Sequence, residues 1–210
     1  MDSIFHFDLE TFIQAIGYIG VFAIVFAESG LLVGFFLPGD SLLFTAGLLS
    51  AQGYFNVWIM AALAVIGAII GDNVGYAFGR RVGPKLFTRE ASFWFHKDHI
   101  TKAEKFYEKH GGKTIILARF IPIIRTFAPI VAGVGKMDYK IFLRYNIIGG
   151  LLWGAGVTLL GYFLGQLVPD AEKYLLYIVI AIIILSVVPV IIPMFCRPFG
   201  RSSDRTREHD

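Results

Sequence analysis

Two apolar stretches carry ionisable side chains beside a proline, and their residue types and spacing are the ones that could do chemistry. Residues 28–47 read E-S-G-L-L-V-G-F-F-L-P-G-D-S-L-L-F-T-A-G, with Glu28 and Asp40 on either side of Pro38-Gly39. Residues 119–133 read R-F-I-P-I-I-R-T-F-A-P-I-V-A-G, with Arg119 and Arg125 around Pro122 and Thr126 beside the second arginine. At a bilayer centre an ionised side chain costs about 2.5–3.5 kcal/mol, so four unpaired ones would cost roughly 10–14 kcal/mol. They must pair, neutralise or face water. Helix-breaking backbone at membrane depth is tolerated only where protein or a polar cavity surrounds it, because lipid offers no partner for freed N–H and C=O groups. Charge and proline together therefore point to a pathway through the membrane.

The chemistry open to these groups is binding and proton exchange. A guanidinium fork matches phosphate bidentately, and the N-termini of broken half-helices add partial positive charge. Arg119 and Arg125 lie six residues apart, so only a broken helix lets both converge on one anionic head group. A carboxylate whose surroundings change can take up a proton on one side and release it on the other. Glu28 and Asp40 are the candidates. Asp40 also reads as the N-cap of the half-helix that returns from Pro38-Gly39, whereas Glu28, ten residues before the proline, cannot cap it.

Enzyme motifs fail on spacing. Gly111-Gly-Lys-Thr114 resembles the end of a phosphate loop, but Tyr107 stands where the first glycine should be. Neither H-E-x-x-H nor Gly-x-Ser-x-Gly occurs, and His6, His96, His99, His110 and His209 are scattered. No metal site is expected. A membrane-bound lipid phosphatase is the strongest enzymatic alternative, because two arginines could hold a phosphate, yet neither proline-broken segment contains a histidine to act beside them.

The elements that must position these groups follow from composition. Of 210 residues 56% are hydrophobic, and the mean hydropathy is +0.65, values of a polytopic membrane protein. Apolar runs near 12–36, 57–79, 145–168 and 174–195 match the ~20 residues of a spanning helix. Acidic residues and no basic region precede the first run, which argues against a cleaved signal. The single cysteine, Cys196, excludes an internal disulfide. Basic residues crowd positions 80–113 and the tail 197–207, including Arg80, Arg81 and Lys113, and the positive-inside rule puts both clusters in the cytoplasm. Anionic lipid and topology explain them without nucleic acid.

With those ends fixed, residues 114–135 must enter and leave on the cytoplasmic side, since Lys136, Lys140 and Arg144 are also basic. About 22 residues cannot cross twice at ~1.5 Å per residue, so the segment reads as a re-entrant hairpin broken near Pro122 and Pro129. An internal repeat agrees. Gly75-Tyr-Ala-Phe-Gly-Arg80 matches Gly161-Tyr-Phe-Leu-Gly-Gln166, Ala46-Gly47 matches Ala132-Gly133, and Phe36-Leu-Pro38 matches Phe120-Ile-Pro122. The expected fold is all-α, a polytopic integral membrane protein with two inverted repeats, each a re-entrant hairpin plus a transmembrane helix, and a C-terminal transmembrane helix. Repeat one covers about 12–80, an amphipathic cytoplasmic linker about 81–113, repeat two about 114–168, the last span about 174–195 and a basic tail 196–210. Gly67, Gly71, Gly75 and Gly79 form a packing stripe. Asp72 points away from it, towards Arg80, the hairpin charges or a water-filled vestibule.

At these residues the chain resembles the DedA family of bacterial inner-membrane proteins, within the DedA/VTT superfamily. The motifs that carry the resemblance are Glu28 with Phe36-Leu-Pro-Gly-Asp40-Ser-Leu-Leu-Phe44, then Gly71-Asp72 with Gly75-Tyr76 and Gly79-Arg80. They continue through Tyr107-Glu-Lys-His-Gly-Gly-Lys-Thr114 and Arg119-Phe-Ile-Pro-Ile-Ile-Arg125-Thr126 to Ala132-Gly133. The resemblance implies a lipid transporter with two opposed re-entrant hairpins, active in undecaprenyl phosphate return, proton-motive-force homeostasis and resistance to alkaline pH and cationic peptides. By position it makes Glu28 and Asp40 the proton-linked carboxylates, and Arg119 and Arg125 the essential basic pair.

The combined expectation is a proton-dependent translocase of the bacterial cytoplasmic membrane, not an enzyme, that moves undecaprenyl phosphate or a phospholipid between leaflets. Arg119 and Arg125 hold the head group, Glu28 and Asp40 handle protons, and Asp72, Arg80, Pro38, Gly39, Pro122 and Thr126 are accessory candidates. The coupling ion is the proton, with no other cofactor. The partners are a membrane lipid or polyprenyl phosphate and the bilayer, with a homo-oligomer left open and the C-terminus cytoplasmic. A small-ion or drug antiporter is the second transport reading, and a membrane scaffold the third.

Overall fold

A computed structural model describes residues 9–31, 39–86 and 111–167, apart from the side chains of 9, 84–86 and 122–123. The expectations for Pro38, for most of the amphipathic linker, for the 174–195 span and for Cys196 and the basic tail lie outside the described residues. Those described are helical: α1 (Leu9–Gly30), α2 (Gly39–Ala51), α3 (Val57–Leu86), α4 (Lys113–Arg119), α5 (Pro122–Val134), α6 (Tyr139–Gly150), a π-helical turn (Leu151–Ala155) and α7 (Gly156–Leu167). Three helical stretches are long and apolar enough to cross a membrane, Glu10–Gly30, Val57–Gly83 and Tyr139–Leu167. They are apolar all round, burying Val21, Ala64 and Trp153 while exposing Ile19, Ile66 and Leu152. That is the pattern of a helix with protein on one side and lipid on the other.

The interruptions have local causes. α1 bends at Gly17, whose φ of 58° and ψ of −157° only glycine adopts without strain. α4 and α5 separate at Phe120–Ile121, where Ile121 is extended (φ −117°, ψ 107°), as expected of the residue before Pro122. Pro129 breaks nothing, contrary to the sequence expectation: it lies inside α5. The lost N–H bond costs about 3 kcal/mol, and the packing of α5 along α3, with Gly79 against the Ile130 carbonyl and Gly133 against that of Tyr76, outweighs it. α3 runs past the expected end at 79 as far as Leu86, so Arg80 and Arg81 extend the span rather than begin the linker. α6 starts earlier than the expected 145, because Asp138 caps it by accepting from the backbone N–H of Lys140 and Ile141.

Backbone contacts trace how the pieces run. α1 and α3 lie side by side in the same direction, with Gly67 against the Phe22 carbonyl and Gly71 against that of Phe26. α2 then returns from Gly39, beside Glu28, to the end where the Asn56 N–H donates to the Tyr18 hydroxyl at 2.7 Å. In the other half α4 starts at Gly112, against Tyr145, and reaches the Ala68 carbonyl through Arg119. α5 comes back alongside α3 until Gly133 meets Tyr76 and Arg80.

The two short returning helices dock crosswise. A Cβ on Gly47 of α2 would sit 2.1 Å from the Thr158 carbonyl of α7, and one on Gly161 would sit 2.1 Å from that of Phe44. The equivalent pair joins α5 to α3: Gly133 against the Tyr76 carbonyl and Gly79 against that of Ile130, again at 2.1 Å. The glycine stripe is thus packing, its first two members facing α1 and its last facing α5. In these contacts Gly79, rather than Gly75, occupies the place of Gly161, one helical turn from the register of the sequence motif.

Candidate functional site

Helix ends deliver the charged residues to the interior. Glu28 lies in the last turn of α1, Asp40 in the first turn of α2, Arg119 closes α4 and Arg125 lies in the first turn of α5. Chain breaks between these ends turn the side chains inward together. Asp40 is inside α2, which begins at Gly39, so it is not the N-cap that the sequence suggested. Its carboxylate serves other partners.

One cluster is a trio. Arg125 donates from Nη2 to Glu28 Oε1 and from Nη1 to Asp40 Oδ1 at 2.7 Å. Trp153 Nε1 donates to the same Asp40 oxygen at 2.7 Å, and its ring lies 4.7 Å from the guanidinium carbon of Arg125, within cation–π range. Glu28 is 2% exposed and Arg125 9%, whereas the Asp40 side chain is 22% exposed. Of the three, Asp40 therefore has the most contact with the outside. Gly39 lets the start of α2 approach the Glu28 carboxylate, since a Cβ there would lie 1.5 Å from Glu28 Oε2. Thr126, next to Arg125, is buried.

The other cluster is a pair with an amide. Arg119 Nη2 donates to Asp72 Oδ2 and Asn146 Oδ1, and reaches the Ala68 carbonyl at 3.5 Å. Asn146 in turn donates to the Ile69 carbonyl at 3.1 Å. The arginine Nε is buried with no partner among the described residues. Asp72, whose partner the sequence left open, belongs here. Arg80 does not reach it: Nη1 donates to the Tyr76 hydroxyl at 2.7 Å.

The expectation that Arg119 and Arg125 converge is met only in part. Both enter the interior, but they share no acceptor among the described residues. Charge differs between the clusters: with every group ionised, Arg119 and Asp72 cancel, while Arg125 faces two carboxylates. Asn146 and Trp153 were not singled out from sequence. The only signal was a polar amide at 146 and an indole within G-L-L-W-G-A-G, inside otherwise apolar runs. Among the described residues no group of three or more His, Cys, Asp or Glu could hold a metal ion.

A multi-pass helical membrane protein with paired charges at broken helix ends is the class these observations define, and comparison assigns it: the chain belongs to the VTT-domain family, whose model matches residues 37–163. That match takes in every residue of the two clusters except Glu28. Protein DedA of Escherichia coli strain K12 is 47% identical over 199 residues, covering 91% of this chain and 90% of that protein. An uncharacterized membrane protein of Mycobacterium leprae is 44% identical over 91% of this chain and 86% of its own length. A second, from Mycobacterium tuberculosis strain H37Rv, is 48% identical over 82% of this chain and 76% of its own length. The DedA resemblance read from the motifs is therefore shown. No solved structure matches the chain.

Proposed function

We propose that the chain is a proton-dependent lipid translocase of the cytoplasmic membrane that moves an anionic lipid, undecaprenyl phosphate or a phospholipid, between leaflets. The observation that carries this reading is Arg125 held between Glu28 and Asp40. Phosphate and carboxylate compete for the same guanidinium fork, so a head group can bind Arg125 only if a carboxylate lets go. A proton on Glu28 or Asp40 removes the competing charge and brings the trio to neutrality. Head-group binding and proton uptake are then linked through one side chain, with no further coupling device.

The path of the backbone supports two re-entrant hairpins in an inverted repeat. α1 and α2 approach and leave at the end of the molecule where α3 starts, while α4 and α5 do so at the end where α3 finishes. The matched glycine contacts of α2 on α7 and α5 on α3 fit the same symmetry. On this reading the two hairpins enter from opposite faces and bring their charged residues to the interior, as in transporters built from broken helices.

The test is transport by the purified full chain in liposomes, with fluorescent undecaprenyl phosphate or phosphatidylethanolamine in one leaflet and a pH step across the membrane. Transport that rises on acidification of the donor side, and whose pH response flattens in Glu28→Gln, is the expected result. Equal rates with and without protein would end the reading. A normal pH response in a stable Glu28→Gln variant would remove Glu28 from the coupling.

A further inference from the structure

The end of α3 opposite Arg80 and Arg81 is joined to α2 by a turn that the fold holds rigid. Gly53, at a φ of 90°, reverses the chain where another residue would be strained. Asn56 then caps α3, accepting at Oδ1 from the backbone N–H of Trp58 at 3.0 Å and of Ile59 at 3.3 Å, while its own N–H donates to the Tyr18 hydroxyl of α1. The Tyr18 and Phe55 rings pack edge to face at 5.2 Å. Two more aromatic side chains stand out from this fixed turn, Tyr54 at 58% exposure and Trp58 at 68%. Among the described residues no hydrogen bond engages the Tyr54 hydroxyl or Trp58 Nε1.

A ring with an apolar body and a polar tip is most stable where hydrocarbon meets water, because the body leaves water while the tip keeps its hydrogen bonds. Exposed aromatic residues alone do not mark such a boundary, but their distance from the basic end does. From Trp58 to Arg80 α3 measures ~33 Å, or about 31 Å along the membrane normal at the ~20° tilt usual for spanning helices. The hydrocarbon core of a bilayer is ~30 Å thick. Between the two levels every exposed residue of α3, from Ile59 to Phe78, is apolar, and at the far level Arg80 and Arg81 are exposed and complement anionic head groups.

We propose that Tyr54 and Trp58 seat this end of the protein in the head-group layer of the leaflet opposite the basic one, with lipid phosphate and ester oxygens accepting from the hydroxyl and the indole N–H. By the positive-inside rule that leaflet is the outer one. Levels along α3 then become depths in the membrane. α1 runs beside α3 and ends at Gly30, where a Cβ would lie 2.9 Å from the Gly71 Cα, about 20 Å from the level of Trp58 and about 13 Å short of Arg80. Although α1 is long and apolar enough to cross, it stops inside, and Asp72 lies within about 5 Å of the middle of the interval. The seat holds the charged clusters at a depth that both leaflets approach equally, and it does not depend on the translocase reading.

Spin labels read these depths. In a Cys196→Ser background, single cysteines replace the exposed Ile59, Ile66, Ile70, Val74 and Phe78 of the full chain, which is labelled and reconstituted in phosphatidylcholine–phosphatidylglycerol vesicles. Collision with oxygen and with a water-soluble nickel chelate is then measured. The ratio of oxygen to nickel collision should peak at Ile70 and fall to similar low values at Ile59 and Phe78. A peak at Ile59 or Ile66 overturns the seat, and low collision with both reagents at Ile59 overturns it in favour of a protein contact there. In Tyr54→Leu/Trp58→Leu the apolar bodies remain but the polar tips are gone, so this end should sink and nickel collision at Ile59 should fall at least twofold. Trp58→Leu alone carries the test if the double variant does not fold. Unchanged collision at Ile59 would make the two aromatic residues ordinary surface residues and end the proposal.

Discussion

Removing one carboxylate should have opposite consequences in the two clusters, and the difference can be worked from the charges. In Asp72→Asn, Arg119 loses the one carboxylate that it meets among the described residues while staying 4% exposed, and Asn146 and the Ala68 carbonyl remain as acceptors there. A buried charge stripped of its partner costs about 3–5 kcal/mol, which in a chain of this size lowers the unfolding midpoint by roughly 6–20 °C at about 2–4 °C per kcal/mol. In Glu28→Gln, Arg125 keeps Asp40 at 2.7 Å, and the trio becomes a balanced pair. The cost there is one weakened hydrogen bond, about 0.5–1.5 kcal/mol, or no more than about 6 °C. Thermal unfolding of the parent, both single variants and Asp72→Asn/Arg119→Gln, at one scan rate in one detergent, measures all of this. The double variant should recover much of the loss, because neither charge is then stranded. An Asp72→Asn protein as stable as the parent, or a Glu28→Gln protein as damaged as Asp72→Asn, would refute the charge accounting.

Three other experiments test separate parts of the structure. Arg125→Lys should abolish most transport at normal protein levels, because one ammonium cannot reach Glu28 and Asp40 from separate nitrogens or present a fork to phosphate; full transport would reduce Arg125 to a point charge. Gly133→Ala places a Cβ 2.1 Å from the Tyr76 carbonyl and should destabilise by about 1–3 kcal/mol through overpacking, whereas Gly156→Ala, with nothing within 4 Å, should not; equal thermal shifts would show that α5 does not dock on α3 as described. In a Cys196→Ser background, cysteine at exposed Lys140 should be labelled by an impermeant maleimide only from the cytoplasm and cysteine at exposed Tyr54 only from outside; the two sides exchanged would reverse the topology, and labelling of both from one side would refute it.

The break between α4 and α5 was legible because it has a short-range cause. Pro122 forces Ile121 into extended backbone, and a proline between charged residues in an apolar run marks the break whatever surrounds it. Glu28, Asp40, Arg119 and Arg125 were legible because lipid makes unpaired charge too costly to be incidental. Their pairing was not. Which carboxylate meets which arginine depends on how α1, α3 and α6 cross, and residues 28 and 125 are brought together only by tertiary packing. Asp72 shows the limit most clearly: its position off the glycine stripe was evident, but only the close approach of α4 to Ala68 and Gly149 selects Arg119 over Arg80. Pro129 misled for the converse reason, since the α3 contacts that hold α5 helical around it come from residues more than fifty positions away in sequence.

The unequal charge of the clusters gives the proposed mechanism a division of labour. Arg119 and Asp72 cancel, sit at low exposure and are joined by Asn146 to the backbone of α3. A balanced, hydrogen-bonded pair of this kind resists change and suits a latch that holds α4 against the long helices. Arg125 faces two carboxylates, one of them partly exposed, with the Trp153 indole against its guanidinium and bonded to the exposed carboxylate. Adding a proton there improves the charge balance, and adding an anionic head group without one worsens it. If this trio is the coupling site, Trp153→Phe should separate its two contributions, keeping a ring beside Arg125 while deleting the hydrogen bond to Asp40. Asp40 would then compete more freely for the arginine, so transport should slow and the slowing should be relieved at lower pH, where protonation removes the competitor. A loss of rate independent of pH would instead make Trp153 a packing residue.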